Sequence, residues 1–248
     1  MIQVISAGGK SGGSYAISAP IMGTDFTWTG GDNTCMVLED GDGNWRIKFL
    51  SSGTFTPLKN MLIDVFLVGG GGSGATVAHN SWDALYGGGG GYTQTSKSVV
   101  LVAGTAYPVA VGAGATAANK QAGTSSAFGA SAGGGFSGGE SNASAGYGGS
   151  GGASGRGASG GTQYYAGGTD GADGGGHSGS GQGTTTREFG ESTGALYSTG
   201  GPSGSSSNGI IAPSPNTGDG GGAVYSSTTF PGASGIVIIR NHREEAAA

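Results

Sequence analysis

The sequence is poor in most of what carries chemistry or builds helices. Its 248 residues include one cysteine, Cys35, seven prolines, three histidines and only 10% charged side chains. A single cysteine cannot close an internal disulfide and matches no metal-ligand spacing, so stability must come from packing and hydrogen bonds. The net charge of −5 leaves no basic patch of the kind nucleic acid requires, which excludes DNA and RNA as partners. No window approaches the roughly eighteen apolar residues of a membrane span. Met1 to Lys10 lacks the basic-then-apolar plan of a secretory signal, so a soluble chain made in a cytosol is expected. Apolar spacings of three and four are missing too, and only the short tail Glu244 to Ala248 reads as a helix candidate.

What is present is glycine, 60 residues of it, concentrated between Gly133 and Gly222 and often three positions apart. Gly146, Gly149, Gly152 and Gly155 form one such run, Gly148, Gly151, Gly157 and Gly160 a second that is broken only at Ser154, and Gly168, Gly171 and Gly174 a third. Three is the period of the extended polyproline II helix, which makes no internal hydrogen bonds. Such a segment needs lateral partners for its peptide groups. Packing many side by side, glycine against glycine, satisfies those groups and offsets the entropy lost on ordering. By composition alone a Gly/Ser tract is a flexible linker. Phe136, Tyr147, Tyr164, Tyr165, Phe189, Tyr197 and Tyr225 argue against that, and strict Gly-X-Y repeats with abundant proline, the mark of collagen, are missing.

Outside this region the pattern is that of strands. Trp45, Ile47 and Phe49 alternate with Arg46 and Lys48 after the turn Asp40 to Asn44, the period-two signature of a half-buried strand. Met61 to Val68 is apolar apart from Asp64 and reads as a buried central strand. Shorter strands are expected at Thr54–Leu58, Tyr92–Thr95, Ser98–Val102, Tyr107–Val111 and Thr124–Phe128, and a last one at Gly235–Arg240. The expected fold is all-β: one antiparallel sandwich into which the glycine bundle is inserted. Its parts are an N-terminal arm (1–25), the sandwich (26–132 and 232–241), the glycine-rich insertion (133–231) and a tail (242–248).

With glycine so common, motifs arise by chance. Met61–Val68 followed by Gly69, Gly71 and Gly74 spells the dinucleotide fingerprint, but no amphipathic helix follows in Ala75 to Tyr86 to hold a pyrophosphate. Gly9-Lys10-Ser11 lacks the first glycine of a phosphate loop. Gly129 to Gly133 fits a nucleophile elbow only in spacing, and Asp40, Asp42 and Asn44 lack the remaining calcium ligands. His79, His177 and His242 have no evident carboxylate partner, and no Ser/His/Asp set is legible, so the expectation is a non-enzymatic chain without cofactor or metal. Loops at the ends of a glycine bundle would instead present recognition residues. The aromatic, arginine and histidine side chains there are Trp82, Tyr86, Tyr147, Arg156, Tyr164, Tyr165 and His177, joined by Gln163; each could equally pack against the bundle.

The succession Val65 to Gly72, Gly87 to Tyr92, Tyr107 to Gly114, Gly123 to Gly129 and Gly235 to Arg240, together with Gln182 to Glu191, resembles the glycine-rich domain proteins of bacteriophages and prophages. More distantly it is similar to the polyglycine II tip adhesins of long tail fibres and to the glycine-rich extracellular domain of anaplastic lymphoma kinase. The last resemblance implies a tumour-necrosis-factor-like sandwich. Together they imply a virion protein of the phage tail, made in the host cytoplasm. Its partners would be a bacterial surface receptor, protein or glycan, and other tail proteins, with monomer and homotrimer both open. A purely structural tail part and an ice-binding glycine bundle are the alternatives. The clustering of Thr184, Thr185 and Thr186 disfavours the latter, which needs a regular array.

Overall fold

A computed structural model describes residues 19–75, 84–118, 120–139, 145–158, 161–162, 165–176, 179–204, 212–224 and 230–244. Most of the expected arm, the end of the tail, and Trp82, Gln163, Tyr164, His177 and Tyr225 lie outside them.

The strands in chain order are β1 (Phe26–Trp28), β2 (Cys35–Gly41), β3 (Asn44–Phe49), β4 (Gly53–Pro57), β5 (Met61–Val68), β6 (Ala84–Tyr86), β7 (Thr93–Leu101), β8 (Tyr107–Ala110), β9 (Ser125–Ala127), β10 (Ala130–Ala132), β11 (Ser154–Ala158), β12 (Gly161–Thr162), β13 (Ser203–Gly204), β14 (Ala223–Val224) and β15 (Ile236–Asn241). Two antiparallel five-stranded sheets follow, one ordered β1-β4-β8-β9-β10 and the other β2-β3-β15-β5-β7. The C-terminal strand thus sits at the centre of its sheet, paired with β3 on one side and β5 on the other.

The side-chain period of two sorts each strand of this second sheet into two faces. Trp45, Ile47 and Phe49 of β3, Ile63, Val65 and Leu67 of β5, and Val237 and Ile239 of β15 point inward. There they meet Phe26, Phe55, Leu101 and Val109 in one core. Phe49 and Phe55 cross edge to face at 5.6 Å, and Phe128 closes on both. Fully burying one such ring contributes about 1.5–3 kcal/mol. Two tight turns fit their sequences: Asp42-Gly43 and Phe128-Gly129 both have positive φ at both positions, as a primed hairpin turn requires. Gly129 therefore belongs to a β9–β10 hairpin rather than to an elbow. Cys35 is half-buried, and burial pushes its thiol up to about 12, which makes it a packing residue.

The sequence suggests two strands between Tyr92 and Val102, but β7 runs through as one. Its register against β5 shifts at Asp64: Ile63 opposes Val99 and Val65 opposes Ser96, so Lys97 and Ser98 share one partner residue. This is a β-bulge. Ser98 sits in the left-handed region at φ 57°, and its N–H donates to Asp64 Oδ1 at 3.1 Å.

Beyond Val68 the second sheet gives way to the glycine bundle. Gly69, Gly72 and Ala75 donate their N–H groups to Tyr92, Gly89 and Tyr86 at 2.8–3.0 Å, while Gly71 and Gly74 donate to Ala233 and Phe230. Gly70 and Ser73 accept from Gly135 and Gly138. Every third residue faces the same neighbour, as a three-residue helical period demands. Adding the bonds from Gly70 to Gly123, from Ala115 to Gly71 and from Gly221 to Gly72, the 69–75 pass touches six other segments, a close-packed arrangement of rods. The 87–92 pass repeats the scheme: Gly87 and Gly90 donate to Ala153 and Ser150, Gly88 and Gly91 to Gly221 and Gly218, Gly89 and Tyr92 to Phe136 and Gly133. At Gly72 a β-carbon would be driven into the Phe136 carbonyl, so the close approach itself excludes any side chain there.

The glycine blocks at 69–75 and 87–91, together with residues 112–115, thus stand inside the bundle alongside segments from 133 onward. One spaced run divides between two passes. Gly146 and Gly149 lie parallel to Gly87 and Gly90, the chain bends at 148–150, and Ser150 to Ala153 runs antiparallel to the same pair.

Candidate functional site

The passes 69–75 and 86–92 leave the sandwich at Gly69 and return to it at Tyr92, so Ala75 and β6 lie at the end of these two passes away from the second sheet, the distal pole. At that pole β6 pairs with β11, placing Tyr86 opposite Ser154 and Arg156 opposite Ala84. The parallel pair β13–β14 packs against β6, and β13 also packs against β11. Tyr165 is tied to Ser203 by two backbone bonds of 3.0 Å, and its half-buried ring lies over Gly175. The fold therefore brings together the backbones of three residues singled out in the sequence: Tyr86, Arg156 and Tyr165. Tyr147 stands apart on the flank of the bundle, 44% exposed and stacked on Phe136 at 4.2 Å. Trp82, Tyr164 and His177 fall outside the described residues.

A second polar region, which sequence reasoning missed, lies on the outer face of the second sheet. The segment Gln182 to Ser198 crosses that face. Phe189 and Tyr197 pack on Phe66 at 5.9 and 5.5 Å, and a 3₁₀ turn at Glu188–Gly190 presses Glu188 into the interior. Arginines hold the segment down: Arg46 Nη1 donates to Glu188 Oε1 at 2.7 Å and Arg240 Nη1 to Glu191 Oε1 at 2.6 Å, with the Arg240 guanidinium 4.1 Å above the Phe189 ring. Asp40 receives Arg46 and Arg243 at 2.9 and 2.6 Å. Burial pushes the Asp40 carboxyl up, but its two arginines outweigh it and hold the group below the usual carboxylate range. These side chains line an open cleft of about 400 Å³. Glu39, Asp40, Glu188 and Glu191 face Arg46, Arg240 and Arg243 in this lining, and the ion pairs that Asp40, Glu188 and Glu191 make with the arginines clamp the covering segment to the sheet. Thr186 is buried and donates to the Tyr197 carbonyl at 2.7 Å, Thr185 bonds Asp170, and Thr184 bonds Gln182. The three threonines secure this segment and form no surface array.

A third cluster corrects the sequence reading of the histidines. His242 has a carboxylate partner, Asp64, whose Oδ1 lies 2.6 Å from Nδ1. Asp64 is fully buried in β5 and Arg240 Nε holds its other oxygen at 3.1 Å. An isolated carboxylate in an apolar strand has to find such partners, because burying it alone is prohibitive. The interruption of Met61–Val68 by Asp64 was the available signal. Among the described residues no group of three or more His, Cys, Asp or Glu side chains is placed to hold a metal ion.

Compared with known families, residues 50–242 match the model of a glycine-rich domain. A comparison with curated proteins finds no match.

Proposed function

The chain belongs to the glycine-rich domain family, and from that premise we propose that it is a surface-recognition protein of a bacteriophage tail or tail fibre. In this reading the sandwich is the base and the glycine bundle a rigid stalk. Side chains at the distal pole contact a protein or glycan of the bacterial surface, and the base faces other tail proteins in the virion. The observation that carries it is the consumption of peptide groups by lateral bonds in every described pass of the bundle. Stiffness is then built into the backbone, and specificity is left to the ends of the rods, where the backbones of Tyr86, Arg156 and Tyr165 come together. The order of sequence blocks, which resembles phage and prophage glycine-rich proteins, supports the tail setting.

The experiment is adsorption of the purified protein to cells of the bacterium that carries the phage or prophage. Tyr86→Ala combined with Arg156→Ala, with unchanged circular dichroism and melting, is expected to weaken binding at least about tenfold. Binding retained in full by this variant and by Trp82→Ala/Tyr164→Ala would instead assign the chain a purely structural place in the tail.

A further inference from the structure

Strand β15 carries His242 out of the sheet and fixes it, since the His242 N–H donates to the Leu62 carbonyl at 3.1 Å. Its ring then stands between two residues that are 178 and 144 positions away in sequence. On one side is buried Asp64, 2.6 Å from Nδ1; on the other is exposed Ser98, whose Oγ lies 3.3 Å from Nε2. Burial raises the Asp64 carboxyl, yet the hydrogen bonds from His242, the Ser98 N–H and Arg240 together hold it below its ordinary value, so it is a carboxylate at neutral pH. A carboxylate can only accept. The Nδ1 atom of neutral His242 therefore carries the proton, and the Nε2 lone pair faces the serine hydroxyl. Ser98 itself occupies a backbone conformation that a β-carbon resists, at φ 57° on the bulge, and the Asp64 carboxylate that orients the histidine also stabilises this conformation through the Ser98 N–H.

Nucleophile, base and orienting carboxylate in this order are the arrangement that activates a hydroxyl for acyl transfer. We propose that Ser98, His242 and Asp64 form an acyl-transfer site acting on short-chain esters that reach an open surface, such as an O-acyl group on a saccharide. Ser98 Oγ attacks the ester carbonyl carbon while His242 Nε2 takes the hydroxyl proton. The carbonyl–alkoxy bond then breaks, and that proton passes to the leaving alcohol oxygen, giving acyl-Ser98 and free alcohol. Water repeats the sequence, with His242 taking one of its protons and returning it to Oγ, so that carboxylic acid and the original hydroxyl are restored. Asp64 is the positioning residue. The site stands away from the distal pole and goes beyond the recognition reading; the two fail or hold separately.

The test is labelling of the intact folded protein with a fluorophosphonate probe, read by whole-protein mass and peptide mapping. One adduct per chain at Ser98 is expected, with release of fluoride. Ser98→Gly suits the positive φ and should abolish the adduct without loss of fold. His242→Gln should slow labelling at Ser98 by about 10²-fold or more, the share of a positioned general base. With p-nitrophenyl acetate, acetyl-Ser98 should appear in the same proteins that label. An unlabelled Ser98 in the folded wild type, label spread over many serines, or equal rates in His242→Gln would each overturn the proposal and leave the three residues as a latch on the end of β15.

Discussion

The Gly72 N–H donates to the Gly89 carbonyl at 2.8 Å, and a methyl group on Gly72 would collide with the carbonyl of Phe136 on the adjoining pass. At Gly133, by contrast, the nearest atom to an added β-carbon is the Tyr92 ring at 3.6 Å, an ordinary contact. Gly72→Ala is therefore expected to destabilise the protein by about 2–4 kcal/mol, because backbone must move. Gly133→Ala should change stability by no more than about 1 kcal/mol. Denaturant midpoints of the two variants measure the difference.

Glu188 and Arg46 tie the covering segment to the sheet at 2.7 Å, with Glu188 almost wholly enclosed. Removing either is expected to cost about 1.5–3 kcal/mol, the scale of a hydrogen bond to a charged group. In a double-mutant cycle of Glu188→Ala with Arg46→Ala, a coupling of about 1–3 kcal/mol is expected. Strict additivity would remove the clamp from the account.

Acid should loosen the protein through Asp64. Its pKa is lower in the folded chain than in the unfolded one, so its stabilising contribution is complete above the unfolded value and is lost as pH falls through the folded value, below about pH 4. Asp219 works in the opposite sense. Burial raises its carboxyl despite the hydrogen bonds from Thr199 and Thr217, so acidification through its folded pKa favours the folded chain. Asp64→Asn should cost about 1.5–3 kcal/mol at pH 7, the scale of a hydrogen bond to a charged group, since Arg240 keeps Glu191 as a partner, and should flatten the acid limb. Asp219→Asn should steepen that limb. Unfolding free energies measured from pH 2 to 7 check both slopes.

The sandwich was legible in the sequence where side chains alternate. The inward set Trp45, Ile47 and Phe49 and the apolar β5 and β15 each announce a strand, and their pairing follows from the need to cover one another. The glycine spacing of three likewise announced lateral packing. Glycine has no side chain to mark where a pass reverses, so the bend at 148–150 inside an evenly spaced run was silent. The placement of 69–75 at the centre of six neighbours was equally silent, because identical residues carry no register. Side chains at the distal pole, Tyr86 and Tyr165, were recognisable as aromatics among small residues. The meeting of Asp64, Ser98 and His242 was not, since it depends on the bulge in β7 and on the central position of β15.

Amide hydrogen exchange tests the whole account most directly. Gly72, Gly88, Gly89 and Gly90 donate to other passes exactly as strand amides donate across a sheet, so their protection should lie within about tenfold of that of Val65 and Ile238. Exchange of these glycine amides at unstructured rates, while Val65 and Ile238 stay protected, would contradict the claim that the bundle is a rigid body.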